Sequence, residues 1–433
     1  MELKTISKEY SRIDIFIICY YATLIALSSS WTSVEAPSAI VRYGGLLAIL
    51  LPLFFKNICL YYPTVATALF TIATYGFAYS IMPYSCDIYV CLAIMIVAVR
   101  RAELSYFKPY TFSCYVFLLA LSLFVNFVSA NRLENISSCL AFSLFLPFFI
   151  SNHPKKGFDL LSYAFITASF VLALLFLIFQ EQFTVSYNTM SGLERAGWID
   201  PNYFGTVLGL GFTVALLRQL MPNKDSFILR IFSWATIAIS AIVIVLVASR
   251  GAVLAITGVS IISVLVSKIN SKYKVVVIVL MVAIVYYMYN SDMFELLMYR
   301  VQNDSGTGSG RTTIWSNKLE AFGTSANVIN YLFGFGLSEG VKLGYSADKG
   351  MHNDFLAFFV EYGFCGFILF IMLILKPLIN STKVSFPYVL AATVYVVLVS
   401  FSLEPLSQGR WPFWAFLFWI ITLNKALGCN NKA

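Results

Sequence analysis

Charged residues are scarce in this chain. Asp, Glu, Lys and Arg make up 12% of its 433 residues, whereas a soluble domain carries about 25%. Hydrophobic residues make up 59%, and the mean hydropathy is +0.80. Because a soluble core cannot bury so much apolar surface, the composition excludes a water-soluble protein and indicates a membrane protein.

Metal-ligating residues are few and scattered. The chain has two histidines, His153 and His352, and its eight cysteines show neither metal-ligand spacing nor a disulfide framework. Asp354 lies two residues after His352, and residues at i and i+2 do not face each other on a helix. We therefore expect no metal site and no cofactor.

Long apolar runs recur along the whole chain. Each is close to the 20 residues or so that cross about 30 Å of hydrocarbon, and a span in lipid must be helical to satisfy its own backbone. The sequence predicts an all-α polytopic membrane protein, one integral membrane domain over 1–433. We expect about fourteen spans (twelve to fourteen, since three are short), at 13–30, 39–55, 58–82, 86–99, 111–129, 135–151, 158–180, 203–220, 230–248, 252–267, 273–290, 354–376, 386–404 and 410–424.

The positions of Lys and Arg predict the orientation. With the N-terminus inside, the cytoplasmic loops take nineteen of the 29 basic residues, as the positive-inside rule requires. Both termini are then cytoplasmic. This arrangement also accounts for the net charge of +8 without a nucleic-acid partner.

Two connections are long, 181–202 and 291–353, and both are predicted on the outer side of the membrane. The larger one contains "RTTIWSNKLEAF", in which Trp315, Leu319 and Phe322 fall at i, i+4 and i+7. This spacing predicts an amphipathic helix along the membrane interface, with Arg311 and Lys318 on its polar side. The glycines of "NYLFGFGLSEG" suit a segment that dips into the membrane.

Four arginines are predicted at helix ends on the outer side: Arg195, Arg250, Arg311 and Arg410. A guanidinium group holds two phosphate oxygens at once and stays charged, so together they suit a pyrophosphate. Alternatively, each arginine extends to lipid phosphates. Arg250 is the strongest candidate, because "ASRGAVL" leaves almost no connection between two spans, where Arg costs about 2.5–3.5 kcal/mol.

His352 stands at the head of the predicted 354–376 span. An imidazole exchanges a proton near neutral pH, so His352 is the candidate catalytic base; alternatively it caps the helix. Asp354 and Glu361 are candidate supporting carboxylates, and Glu361 would pair with one of the arginines. Asp200 in "DPNYFG" is also a candidate, although ahead of a proline it fits a helix N-cap better than a base.

Residues 190–425 resemble the O-antigen ligase and polymerase superfamily, membrane glycosyltransferases of the bacterial envelope. The resemblance is carried by Arg250 with Leu254 after three residues, by His352 with Gly363 after ten, and by "SGRTTIW" ahead of that histidine. It implies the C-type glycosyltransferase architecture in the bacterial inner membrane, with the active site facing the periplasm.

The resemblance also implies the chemistry. The donor would be a glycan on undecaprenyl pyrophosphate, transferred without metal or nucleotide sugar. Arg250 and Arg311 would bind the pyrophosphate, and His352 would activate the acceptor hydroxyl. Arg195 and Arg410 are added to the pyrophosphate site from their positions alone.

Several functions remain open. A polymerase extends another lipid-linked repeat unit, with a chain-length regulator as a candidate partner; a ligase transfers the glycan to the lipid A core, and a related branch glycosylates proteins. The number of predicted spans favours the polymerase. A lipid-linked oligosaccharide flippase is the alternative from another class, but transporters tend to carry charges near mid-membrane, and here they collect at one edge.

Overall fold

The computed structural model describes residues 154–178, 184–185, 195–196, 201–221, 227–266, 274–275, 310–336, 343–344, 350–407 and 411–429, with Cys19, Tyr286 and Gly340 as single positions. Apart from Cys19, the six spans predicted between 13 and 151 lie outside the described residues, as does nearly all of that at 273–290.

Helices dominate the described part of the chain, as predicted. Their one companion there is a two-residue antiparallel ladder, β1 (Thr184–Val185) with β2 (Arg195–Ala196). The helices are α1 (Pro154–Ile178), α2 (Pro201–Leu220), α3 (Phe227–Leu246), α4 (Arg250–Val266), α5 (Arg311–Ser325), α6 (Val328–Phe333), α7 (Asp354–Ile379), α8 (Phe386–Ser402) and α9 (Trp411–Cys429).

Four of these helices, α1, α2, α3 and α7, are long and apolar enough to cross a membrane. Three shorter apolar segments are present as well: α4, α8 and residues 415–424 of α9. Each lies where the sequence predicts a span, with ends that differ by a few residues. The chain is therefore a multi-pass membrane protein, although the described residues do not reach the full number of predicted spans.

The described helices pack as one bundle. The helices α1, α2 and α3 contact one another, α4 lies between α2 and α8, and α9 packs on α1. A column of rings fills the interface of α1, α8 and α9: Trp419 stacks on Phe158 and Phe416, and the Trp419 indole N–H donates to Ser162 Oγ at 2.8 Å. Close ring packing of this kind adds about 0.5–1.5 kcal/mol per pair beyond the area buried.

One end of the bundle is held by polar contacts that involve Arg218 near the end of α2. The Arg218 guanidinium is buried, donates to Asp159 Oδ1 at 2.8 Å and lies 4.8 Å from the centre of the Tyr163 ring. At the same level the Tyr388 hydroxyl donates to the carbonyl of Leu220 at 3.0 Å. We call this end the Arg218 edge.

The helix predicted within 291–353 is present as α5, but the prediction that Lys318 lies on its polar, exposed side is wrong. Its buried residues are Ile314, Lys318 and Phe322, so Lys318 is 1% exposed whereas Leu319 is 40% exposed. The prediction assumed that lipid would cover the most apolar stripe. The helix instead packs against protein. Ile314, Lys318 and Phe322, at i, i+4 and i+8, share one face and are buried together, although Lys318 is charged.

The helix α7 is interrupted at Gly363, which has φ 67° and ψ −168°. Only glycine adopts this conformation readily. The interruption removes the usual partners of two carbonyls, and the segment after α6 replaces them: Phe335 N donates to the Val360 carbonyl at 3.0 Å and Gly336 N to the Glu361 carbonyl at 2.9 Å. A Cβ atom on Gly363 would overlap the backbone of Leu332 and Phe333. The segment "NYLFGFG", which is predicted to dip into the membrane, thus docks against the break in α7.

Candidate functional site

The candidate site lies at the end of the bundle opposite the Arg218 edge. The helices α2, α4, α7 and α9 begin there, and α3 and α8 end there. Four helix N-termini, with their unpaired N–H groups and positive dipole ends, favour an anion at this end. We call it the Arg250 edge.

Arg250 is the first residue of α4, after a three-residue turn from α3. Ala248 in this turn has φ 52°, and the Ser249 carbonyl accepts from Val253 N at 3.0 Å. A Cβ atom on Gly251 would lie 2.6 Å from Oγ of Ser402, the last residue of α8. Arg250 is half-buried at the start of α4.

The end of α8 is bonded to the start of α7. Asp354 N donates to the Leu403 carbonyl at 3.0 Å, and the Asp354 carboxylate, fully buried, accepts from Ser400 Oγ at 2.9 Å. It also accepts from the backbone N–H groups of Leu406 at 3.0 Å and Ser407 at 2.8 Å. Both carboxylate oxygens are thus engaged in fixing the chain that follows α8.

Glu404 is a site residue that the sequence reasoning missed. Its side chain is 6% exposed, and Oε2 accepts from Met351 N at 3.0 Å. The carboxylate lies so close to Gly350 that any Cβ there would overlap it. The prediction counted residue 404 as the last of an apolar span. The sequence feature that could have identified Glu404 is a carboxylate followed by Pro405, at the point where an apolar run ends.

His352 lies between Met351, held by Glu404, and Asn353, which begins α7. Its φ is 49°, which is uncommon for a residue other than glycine, and its side chain is half-buried. The Asn353 side chain accepts from Leu356 N at 3.2 Å and caps the helix. Asn353, and not His352, is therefore the N-cap of α7.

Arg311 begins α5, and α5 is hydrogen-bonded to the turn that contains His352. The indole N–H of Trp315, one helical turn after Arg311, donates to the Met351 carbonyl at 2.7 Å. The Trp315 ring also lies edge-on to Phe401 at the end of α8, with 5.7 Å between centroids. Residues four apart share a helix face, so Arg311 and Trp315 lie on one side of α5.

The structure thus brings together the segments that carry Arg250, Arg311, His352 and Asp354. Glu361 lies two turns into α7, is 6% exposed, and has Oε1 3.3 Å from the Cβ position of Gly340. Of Arg195 the structure describes the backbone, which pairs with Val185 in the β ladder. The candidates Asp200 and Arg410 lie outside the described residues.

This arrangement can bind an anion and move a proton. Guanidinium groups suit phosphate oxygens, and an imidazole suits proton transfer to or from a hydroxyl. Within the described ranges, no three His, Cys, Asp or Glu side chains are grouped so that they could hold a metal ion.

Comparisons with known proteins point to one family. No curated protein matches the chain. Residues 235–371 match the family model described as O-antigen ligase, and this range contains Arg250, Arg311 and His352. This match supports the resemblance of this part of the chain to the O-antigen ligase and polymerase superfamily.

Proposed function

We propose that this protein polymerises undecaprenyl-pyrophosphate-linked oligosaccharide repeat units at the periplasmic face of the bacterial inner membrane. The product would be O-antigen or another surface polysaccharide. The observation that carries the proposal is the meeting of α4, α5 and the His352 turn at the Arg250 edge. Those three segments bear the two best arginine candidates and the single histidine of the matched family segment.

The proposed reaction needs neither metal nor nucleotide sugar. As the glycosidic bond to the lipid pyrophosphate breaks, negative charge builds on the leaving group, and Arg250 and Arg311 stabilise it most strongly late in the reaction. His352 removes the proton from the attacking sugar hydroxyl, a contribution that is typically 10²–10⁴-fold. Attack opposite the leaving group inverts the anomeric centre, so an α-linked donor gives a β linkage.

We assign 181–202 and 291–353 to the periplasmic side, with both termini in the cytoplasm. The support is the charge distribution together with the position of the arginine candidates. Arg218 near the end of α2 lies at the opposite edge, where the positive-inside rule favours basic residues. In this assignment α5 lies over the Arg250 edge and forms part of the site. Arg195 and Arg410 remain candidate pyrophosphate ligands from their sequence positions.

A ligase that transfers the glycan to the lipid A core is the second candidate, since the family model carries the ligase description. Deletion of the gene separates the two, because they act at different steps. Lipopolysaccharide with a single repeat unit on the core indicates a polymerase. A bare core, with polymer accumulating on the lipid carrier, indicates a ligase.

Site variants test the proposed chemistry. Arg250→Ala and His352→Ala should each abolish surface polymer while the protein still inserts into the membrane. Arg230→Ala is the matched control, because Arg230 is exposed at the opposite end of α3. Polymer of wild-type length in both site variants would contradict the assignment, and so would flipping of lipid-linked glycan by purified protein that lacks any transfer activity.

A further inference from the structure

His352 has an uncommon backbone conformation, and the residues on either side of it hold that conformation. A non-glycine residue in the left-handed region persists where its surroundings determine the backbone more strongly than its own preference does. On the far side of His352, Asn353 caps α7, and Asp354 N donates to the Leu403 carbonyl. The first contact belongs to α7 itself, and the second joins α7 to Leu403, the residue directly before Glu404.

The near side of His352 depends on two side chains from other elements. Met351 N donates to Glu404 Oε2 at 3.0 Å, and the Met351 carbonyl accepts from Trp315 Nε1 at 2.7 Å. The peptide groups on both sides of the Met351 Cα are therefore fixed. Because Met351 precedes His352 directly, fixing its peptide groups restricts the backbone position from which the imidazole extends.

The approach of Glu404 to this turn depends on Gly350. Any Cβ at position 350 would overlap the Glu404 carboxylate, so the chain leaves room for that side chain next to the histidine. Ser407 supports the same segment from within, since its Oγ donates to the Glu404 carbonyl at 3.3 Å. Glu404 is thus a buried carboxylate aimed at a backbone group one residue from the candidate base.

We propose that Glu404 is a positioning residue that orients His352 by holding the N–H of Met351. This inference rests on the proposed function. Glu404 takes no proton and touches no substrate in it; its role is to keep the imidazole in line with the acceptor hydroxyl. A displacement of about 1 Å in such a group can cost 10²-fold in rate.

Kinetics in proteoliposomes with lipid-linked repeat units test the proposal. Glu404→Ala should lower kcat about 10- to 100-fold and leave KM for the donor within about twofold, because the arginines still hold the pyrophosphate. Glu404→Gln keeps an amide oxygen that accepts from Met351 N and should restore most of kcat. Glu320→Ala, which removes an exposed glutamate from α5, is the matched control and should match the wild type.

The two histidines of the chain allow a second readout that needs no activity. In protein with isotope-labelled histidine rings and the substitution His153→Gln, a single NMR signal reports on His352. Glu404→Ala should move or broaden this signal, and Glu404→Gln should restore it. If Glu404→Ala does not insert, Glu404→Asp takes its place, since it keeps the charge but withdraws the carboxylate from Met351.

The outcomes separate this inference from the proposed function. An unchanged His352 signal and wild-type kcat in Glu404→Ala would overturn the positioning role, as would a folded Glu404→Gln protein that is as inactive as Glu404→Ala. If the His352 signal moves in Glu404→Ala but His352→Ala is fully active, Glu404 does orient the His352 ring, and His352 is not the catalytic base.

Discussion

The indole N–H of Trp315 donates a hydrogen bond of 2.7 Å to the backbone carbonyl of Met351. Trp315 lies on α5, within the long connection, and Met351 precedes His352. The contact joins the connection to the head of α7, and the edge-on packing of Trp315 with Phe401 joins it to the end of α8. The helix α5 therefore forms part of the candidate site and does not lie apart on the membrane.

Trp315→Phe should weaken the proposed transfer reaction with little loss of protein. Phenylalanine keeps an aromatic ring near Phe401 but removes the donor, which leaves the Met351 carbonyl without this bond at a cost of about 1 kcal/mol. An increase of the same size in the activation free energy lowers the rate about fivefold. The measurement is polymerisation rate in proteoliposomes, with Ser316→Ala on the exposed face as control. An unaltered rate would mean that α5 is not coupled to the His352 turn.

Asp354→Ala should destabilise the bundle more than it alters substrate binding. The substitution leaves the buried N–H groups of Leu406 and Ser407 without their acceptor, at about 1–3 kcal/mol each. We expect a clear fall in the thermal unfolding temperature of the detergent-solubilised protein. Ser400→Ala removes one donor to the same carboxylate and should cost about 1 kcal/mol. Equal unfolding temperatures for wild type and Asp354→Ala would contradict the bonding described here.

The sequence predicted the ends of the described helices well, for a physical reason. Each span is a nearly uninterrupted apolar run, and its limits are set by Pro201 at the start of α2 or by the polar residues ahead of Asp354. The meeting of Arg250, His352 and the Arg311 helix at one edge also follows from the alternating direction of successive spans. These features depend on local composition and on span counting.

The contacts of Glu404 and the buried face of α5 could not be predicted in this way. The bond from Met351 to Glu404 joins residues 53 positions apart and depends on α7 and α8 meeting at the same height. The burial of Lys318 depends on which surface α5 packs against, and periodicity alone gives the most apolar stripe, not the partner. The sequence pattern therefore indicates neither the contact between Met351 and Glu404 nor the surface against which α5 packs.

The burial of Lys318 gives a direct test of the orientation of α5. Lys318→Ala removes a fully buried side chain and should lower the free energy of unfolding by about 1–3 kcal/mol, whereas Leu319→Ala at the exposed neighbour should change it by less than about 0.5 kcal/mol. Thermal unfolding of the two purified variants makes the comparison. The reverse order would restore the orientation that the amphipathic pattern predicts.

Gly363→Ala should disturb α7 and the segment docked on it. Alanine at φ 67° is strained by about 1–3 kcal/mol, and its Cβ would overlap the backbone of Leu332 and Phe333. Gly323→Ala is the control, because a Cβ atom on Gly323 in α5 would meet the Tyr331 hydroxyl at 4.0 Å, an ordinary contact, and alanine there should be neutral or stabilising by up to about 1 kcal/mol. We expect a lower unfolding temperature and faster proteolysis between 326 and 350 for Gly363→Ala alone. Equal behaviour of the two variants would rule out the docking of this segment at the break.

The depth of α6 can be measured. It docks beside Gly363, which lies nine residues into α7, or about 13 Å from its start at 1.5 Å per residue. Its side chains face outward, with Val328 75% exposed. After Gly363, α7 continues with the exposed residues Phe364, Ile368 and Met372. A surface that is apolar and continuous with a span should face hydrocarbon. A nitroxide label on Ile329→Cys, in a background without reactive native cysteines, should therefore collide readily with oxygen and poorly with a water-soluble nickel complex in liposomes. The same label on Thr324→Cys at the exposed end of α5 should show the opposite ratio, and equal nickel accessibility at the two positions would place α6 in water.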